Sequence, residues 1–226
     1  SWSYWPGTSA PVSNWDDPGT DISDWSTGPS GFGYGDNDDN TDLGQIISVF
    51  ARKTFQIDDP TIITKALFHI DYDDGYIAYL NGVEFSRRNM GAPNTEVYYN
   101  ETTAGLHEAE IYAGGFPEEI SIDLNEFPIV SGDNTLAVEV HNYNTSSSDL
   151  SCIPFLTLGY NSEIDNPTEP HQLMVLPNSY LHTNFKISSS GEDLILSDQE
   201  ENVLDSIFTG TIETDMSRSE EHTSEL

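Results

Sequence analysis

The stretch Asp36-Asn37-Asp38-Asp39-Asn40-Thr41-Asp42 offers carboxylate and amide oxygens at alternate positions. Hard oxygen donors in such a run suit Ca²⁺. Asp36, Asp38, Asn40 and Asp42 are therefore candidate ligands for a structural calcium ion. The run is not an EF-hand loop, because Thr41 stands where that loop needs glycine and Ile47 where it needs a bidentate glutamate. An exposed acidic turn explains the same residues without a metal.

A second chemistry is carried by aromatic residues in turn-rich sequence. Sugars present apolar CH faces that stack on Trp and Tyr, while their hydroxyls meet charged and amide groups. Trp2, Tyr4 and Trp5 lie near the N-terminus, and Arg87 and Arg88 follow a hairpin signal. These five are the candidate glycan-binding residues. Trp15 and Trp25 read instead as large aromatics that pin the N-terminal segment onto the core.

Other chemistries find weaker support. Asp71, Asp73 and Asp74 are explained by turn formation at Asp73-Asp74-Gly75 rather than by acid–base catalysis. His69, His107, His141, His171 and His182 lack zinc spacing. His141, beside Asn142, reads as a hydrogen-bonded residue of a strand. The glycines of 28–35 precede no Gly-Lys-Ser/Thr and open no helix, so they mark turns rather than a phosphate cradle. The chain's one cysteine, Cys152, lies in a strand-like stretch and is expected to be a buried thiol.

The elements that must position these groups are short strands. Ala66, Phe68, Ile70 and Tyr72 alternate with Leu67, His69 and Asp71, giving one apolar face at period two. Tyr76–Leu80 and Val83–Phe85 flank Asn81-Gly82, a strong short-range hairpin signal. Ile120, Ile122 and Leu124 alternate with polar residues, and so do Leu136, Val138 and Val140. Ile153–Leu158 reads as a further strand. Ala104–Ala113 predicts one short helix. Residues 159–180, with three X-Pro pairs, read as a linker. Strand signals resume at 181–187, 193–197 and 203–208, too few to bury a core alone. Many short strands separated by turns imply an all-β sandwich or barrel.

Composition narrows the partners. The 226 residues carry 39 Asp+Glu against 7 Lys+Arg, a net charge of -32. Phosphate backbones repel such a chain, which argues against nucleic-acid binding. No apolar run approaches the length of a membrane span. The sequence starts at Ser1 without a leader pattern, so a signal peptide is expected upstream or not at all.

An ordered series of motifs adds to this reading. It runs Trp-Ser-Thr-Gly-Pro-Ser-Gly-Phe-Gly-Tyr-Gly at 25–35, Arg-Lys-Thr-Phe at 52–55 and Asp-Asp-Gly-Tyr-Ile-Ala-Tyr-Leu-Asn-Gly at 73–82. Arg88-Asn89-Met90, Asn-Thr-Leu-Ala-Val-Glu-Val-His-Asn at 134–142 and Ser-Ser-Asp-Leu-Ser at 147–151 complete it. The series resembles the galactose-binding-like modules of large secreted bacterial proteins, found beside lamin-tail domains, CotH-type kinase domains, phosphoesterases and glycoside hydrolases.

The resemblance implies a galactose-binding-like jelly-roll β-sandwich over 1–158. It implies an extracellular or cell-surface location, neighbouring domains in the same polypeptide, and a glycan or cell-surface polysaccharide as partner. A structural Ca²⁺ elsewhere in the sandwich is also consistent with it. Residues 181–217 resemble the later half of a lamin-tail-type β segment. Residues 218–226 resemble a translated sequencing adapter and are left out of the fold. The expected role is a non-catalytic carbohydrate-binding or adhesion module. The alternative is a structural spacer accessory to a hydrolase or CotH-type kinase domain outside this chain.

Overall fold

The computed structural model describes residues 1–35, 38–162, 164, 168, 188, 190–197 and 202–211. The chain divides into two compact units, Ser1–Leu176 and Pro177–Leu226.

The first unit is an all-β sandwich. Its strands are β1 (Trp2–Pro6), β2 (Ser26–Gly28), β3 (Phe32–Tyr34), β4 (Thr41–Asp42), β5 (Ser48–Ile57) and β6 (Ile63–Tyr72). They continue with β7 (Gly75–Leu80), β8 (Val83–Arg88), β9 (Glu118–Ile122), β10 (Gly132–His141) and β11 (Leu150–Tyr160). One sheet has the order β2-β1-β5-β10-β7-β8, the other β4-β3-β11-β6-β9. Consecutive strands repeatedly change sheet, so both layers form together around one core.

Inner-face residues of the two sheets share that core, among them Val49, Phe68, Ile70, Tyr76, Leu136 and Leu150. Rings meet across it: Phe68 lies 5.2 Å from Phe85, and Tyr72 lies 4.6 Å from Tyr76. Each fully buried large apolar side chain contributes about 1.5–3 kcal/mol. Cys152 is part of the core and fully buried, as its strand context implied. The Asn81-Gly82 hairpin also forms as expected. Both residues take positive φ (53° and 80°), and Leu80 pairs with Val83. Asn81 then secures the start of β10. Its carbonyl oxygen accepts Thr135 N–H, and its amide donates to Asn134 Oδ1.

A second layer covers the outer face of the larger sheet. Trp15 and Trp25, on the segment between β1 and β2, pack with Phe50 and Ala137. Trp15 stacks on Trp25 at 6.0 Å and sets its edge against Phe50 at 5.1 Å. Arg52 reaches up from β5 and donates to the carbonyls of Trp15, Thr20 and Pro18. These tryptophans pin the N-terminal segment, as their sequence setting suggested.

The helix predicted over Ala104–Ala113 does not form. The segment is a loop with one 3₁₀ turn, Ile111–Ala113. The N–H groups of His107, Glu110 and Ile111 donate to aspartate side chains of the sandwich. Among the described residues, no helix is long and apolar enough to cross a membrane.

In the second unit the described residues form an antiparallel hairpin, β12 (Asp193–Ser197) and β13 (Val203–Phe208). Its bounds match the strand signals at 193–197 and 203–208. The expected strand at 181–187, nearly all of the expected linker beyond Tyr160 and the tail 218–226 lie outside the described residues.

Candidate functional site

Three aspartates of one turn have different fates. Asp71 lies near the end of β6 on the face opposite the inward Ile70 and Tyr72, and its two carboxylate oxygens accept the N–H groups of Glu110 and Ile111, each at 2.8 Å. Asp74 accepts the N–H of His107 at 2.9 Å and of Tyr143 at 2.7 Å. These two side chains act as clamps that hold the 105–115 loop and the β10–β11 loop against the end of the sandwich. His107 is fixed further: its ring lies flat on Tyr72 at 4.0 Å, and Nδ1 bonds the Tyr72 carbonyl at 3.0 Å. Turn and loop chemistry therefore accounts for Asp71 and Asp74.

Asp73 is different. One of its carboxylate oxygens lies with one from Glu108 and one from Asp149, all within 4.8 Å of one another. Burial pushes the Asp73 carboxyl up to about 9, and the charges of Asp74, Asp149 and Glu108 push the same way. This acidic group has the spacing of a set of metal ligands. Its members come from the β6–β7 turn, the 105–115 loop and the β10–β11 loop.

Beside Glu108, the same loop lines an open depression of about 610 Å³ with His107, Glu110, Gly114 and Gly115. The sequence makes this bend through its two glycines. Gly114 takes φ +83°, and a Cβ on Gly115 would lie 2.7 Å from the Cβ of Glu110. Tyr112 and Phe116, either side of the glycine pair, are exposed.

The five aromatic and arginine candidates are not brought into one patch. Trp2 and Tyr4 are half-buried and pack on the inner core, with Tyr4 5.2 Å from Phe32. Trp5 turns to the opposite face, packs on the tryptophan layer and donates Nε1–H to the Ser9 carbonyl. Arg87 forms a two-pronged pair with Glu84 (2.9 and 2.7 Å) and also donates to the Met90 and Thr95 carbonyls. Arg88 pairs with Glu118 and is half-exposed. Strands β5, β10 and β7 separate β1 from β8.

Of the four calcium candidates, Asp36 lies outside the described residues. Asn40 donates its amide to the Ser30 carbonyl, and Asp42 accepts Gly44 N–H at 2.9 Å. Asp38 approaches the Ser151 hydroxyl at 3.5 Å. His141 is a hydrogen-bonded strand residue, as expected, with Nδ1 on the Glu101 carbonyl and Nε2 at 3.1 Å from Glu139.

Sequence reasoning missed Glu108 and Asp149. They sit in loops remote from Asp73 in the chain, and nothing local distinguishes Asp73 from Asp74.

No family model and no curated protein matches the sequence. Similar solved structures are β-glucuronidases and a rhamnosidase. A β-glucuronidase of Bacteroides uniformis aligns at TM-score 0.46 and 15% identity, over 71% of this chain and 17% of its own. One of an uncultured Clostridium species aligns at 0.39 and 13%, over 94% and 38%. The α-L-rhamnosidase of Streptomyces avermitilis, complexed with L-rhamnose, aligns at 0.33 and 25%, over 51% and 9%. The chain thus spans a minor part of each of these proteins. At such TM-scores the likenesses carry no functional argument, and the fold assignment rests on the sheet order itself.

Proposed function

We propose that this chain is a non-catalytic, carbohydrate-recognising accessory module of a larger extracellular or cell-surface polypeptide. The observation that carries the reading is the open acidic depression at residues 107–115, on a loop that also carries exposed Tyr112 and Phe116 next in sequence to its lining residues. Exposed aromatics suit the CH faces of a sugar ring, and the carboxylates of Glu108 and Glu110 suit its hydroxyls. A shallow, solvent-open surface fits a chain-like polysaccharide better than a small enclosed substrate. Asp71 and Asp74 are committed to backbone N–H groups, and His141 to Glu139 and Glu101. The galactose-binding-like resemblance of residues 2–158 supports the same role.

The test is a glycan array probed with the full chain. Selective binding to one glycan class, lost in Tyr112→Ala, is the expected result. A folded chain that binds nothing across a broad array would sink the reading.

The second reading is a structural spacer beside a hydrolase or CotH-type kinase domain outside this chain. It is favoured by the packing of Trp2, Tyr4, Trp5, Trp15 and Trp25, all of which serve the sandwich. A null array result would select it.

A further inference from the structure

We infer that Asn144, in the loop between β10 and β11, is the attachment point of an N-linked glycan. The acceptor pattern for such a glycan is Asn-X-Ser/Thr with X other than proline. It occurs at Asn100-Glu101-Thr102 and at Asn144-Thr145-Ser146, while Pro167 bars Asn166-Pro167-Thr168. The pattern by itself is common, and geometry separates the two positions.

Asn144, Thr145 and Ser146 are all exposed. Asn144 Oδ1 accepts the N–H of Ser146 at 2.8 Å and its hydroxyl at 2.7 Å. The two residues that the pattern specifies are thus in contact, through an Asx turn. Both bonds draw electron density toward Oδ1, which makes the Nδ2 hydrogens more acidic. Nδ2 itself donates to nothing among the described residues, so it is open to a sugar. The turn hangs between two fixed points. Tyr143 N–H is held by Asp74, and the Ser147 carbonyl accepts the Tyr34 hydroxyl and the Gln45 amide. A glycan on Asn144 therefore displaces no internal contact.

Asn100 is exposed as well, but its neighbours are tied into the sandwich. The Tyr99 carbonyl accepts the Ser48 hydroxyl, the Glu101 carbonyl bonds His141 Nδ1, and Thr103 N–H donates to the Asn142 carbonyl. A transferase that must bend the chain around its acceptor finds this segment held, which makes Asn144 the preferred position.

The inference rests on the extracellular placement proposed above, because the donor, an oligosaccharide on a lipid pyrophosphate, meets exported chains. In the transfer Nδ2 bonds to the anomeric carbon as the bond from that carbon to the pyrophosphate oxygen breaks. The lipid pyrophosphate leaves with the electron pair, and the Nδ2 proton passes to a base of the transferase. Nothing is oxidised or reduced.

The test uses the full chain, given an export signal and secreted from a eukaryotic cell that carries such a transferase. Peptide mass spectrometry reads each position before and after an amidase that removes N-glycans and leaves aspartate behind. Most of the Asn144 peptide is expected to carry sugar, and a smaller share of the Asn100 peptide. Ser146→Ala should strip Asn144 of its sugar while leaving the urea midpoint of the sugar-free chain in place, and Ser146→Thr should retain the sugar. A folded, secreted chain with Asn144 bare would overturn the inference. So would sugar on Asn144 that survives Ser146→Ala, or fuller occupancy at Asn100. The export signal is supplied, so a bare Asn144 leaves the carbohydrate-recognition reading standing, and an empty glycan array leaves the glycan on Asn144 standing.

Discussion

On the inner face of β10, Leu136, Val138 and Val140 meet the opposite sheet. On its outer face Ala137 sits under Trp15 and Trp25, with Glu139 and His141 buried alongside. Both faces exclude water, by different means. The inner face does so with apolar volume, which is not directional. The outer face does so with directed contacts: Tyr79 donates to Glu139 at 2.7 Å, His141 bridges Glu139 and the Glu101 carbonyl, and Arg52 grips three carbonyls of the covering segment. A polar group buried on that face survives only because its partner is in place. Inner-face changes should therefore weaken the whole sandwich, whereas outer-face changes should release one layer.

The largest effects are expected where burial is tightest. Arg87→Ala leaves the Glu84 carboxylate, 8% exposed at its side chain, without a counter-charge. Breaking a buried pair in this way costs about 3–5 kcal/mol. Leu136→Ala opens a cavity in the inner core, at about 2–5 kcal/mol. Urea unfolding measures both. A loss under about 1 kcal/mol for Leu136→Ala would mean that the inner face collapses around the gap and is not the rigid side of the comparison.

The inner face was also the legible one. Alternation at 66–72 and 134–140, the Asn-Gly hairpin and the strands at 193–197 and 203–208 follow from local sequence, because period-two patterns report which side meets a core. The same pattern hides the outer face. Glu139 and His141 sit at solvent-side positions of the alternation, and distant segments, residues 7–25 and the stretch around Tyr99 and Glu101, cover that face. The loop at 104–113 misled for a related reason. Its good helix formers lose to Asp71 and Asp74, whose carboxylates claim the N–H groups that a helix would need. The acidic group was illegible too, since Asp73 and Asp74 share residue type and turn and differ only in what the distant loops bring to them.

Arg52→Met sharpens the contrast. It keeps apolar volume on the outer face but removes the donors to Trp15, Thr20 and Pro18. The freed carbonyls can reach water as the segment lifts, so the loss is expected near 2 kcal/mol rather than the sum of three charged hydrogen bonds. Hydrogen exchange should show the amides of Asp17, Thr20 and Trp25 opening while those of β10 stay protected. Equal loss of protection in both would mean that the two faces unfold as one unit. Asp16 offers a smaller, pH-dependent version. Burial raises its carboxyl above the usual range, with Glu139 and Asp17 adding repulsion. The folded chain thus keeps this proton where the unfolded chain has lost it, and its contribution to stability falls as pH rises between the two values. Asp16→Asn should flatten that part of the stability–pH profile. A profile unchanged by the substitution would show that the layer leaves Asp16 solvated.

Arg88 gives the smallest expected effect and a control for Arg87. The two are neighbours on β8 and point in opposite directions, each paired with a glutamate. Arg88 is 48% exposed at its side chain and Glu118 is 30% exposed, so water already solvates both charges. Exposed pairs of this kind contribute under about 1 kcal/mol and weaken with salt. Arg88→Ala should therefore move the urea midpoint little, and less still at high salt, while Arg87→Ala remains costly at any salt concentration. If the two substitutions cost the same, burial would not be what separates them, and Arg87 would be as free as its neighbour to meet a ligand.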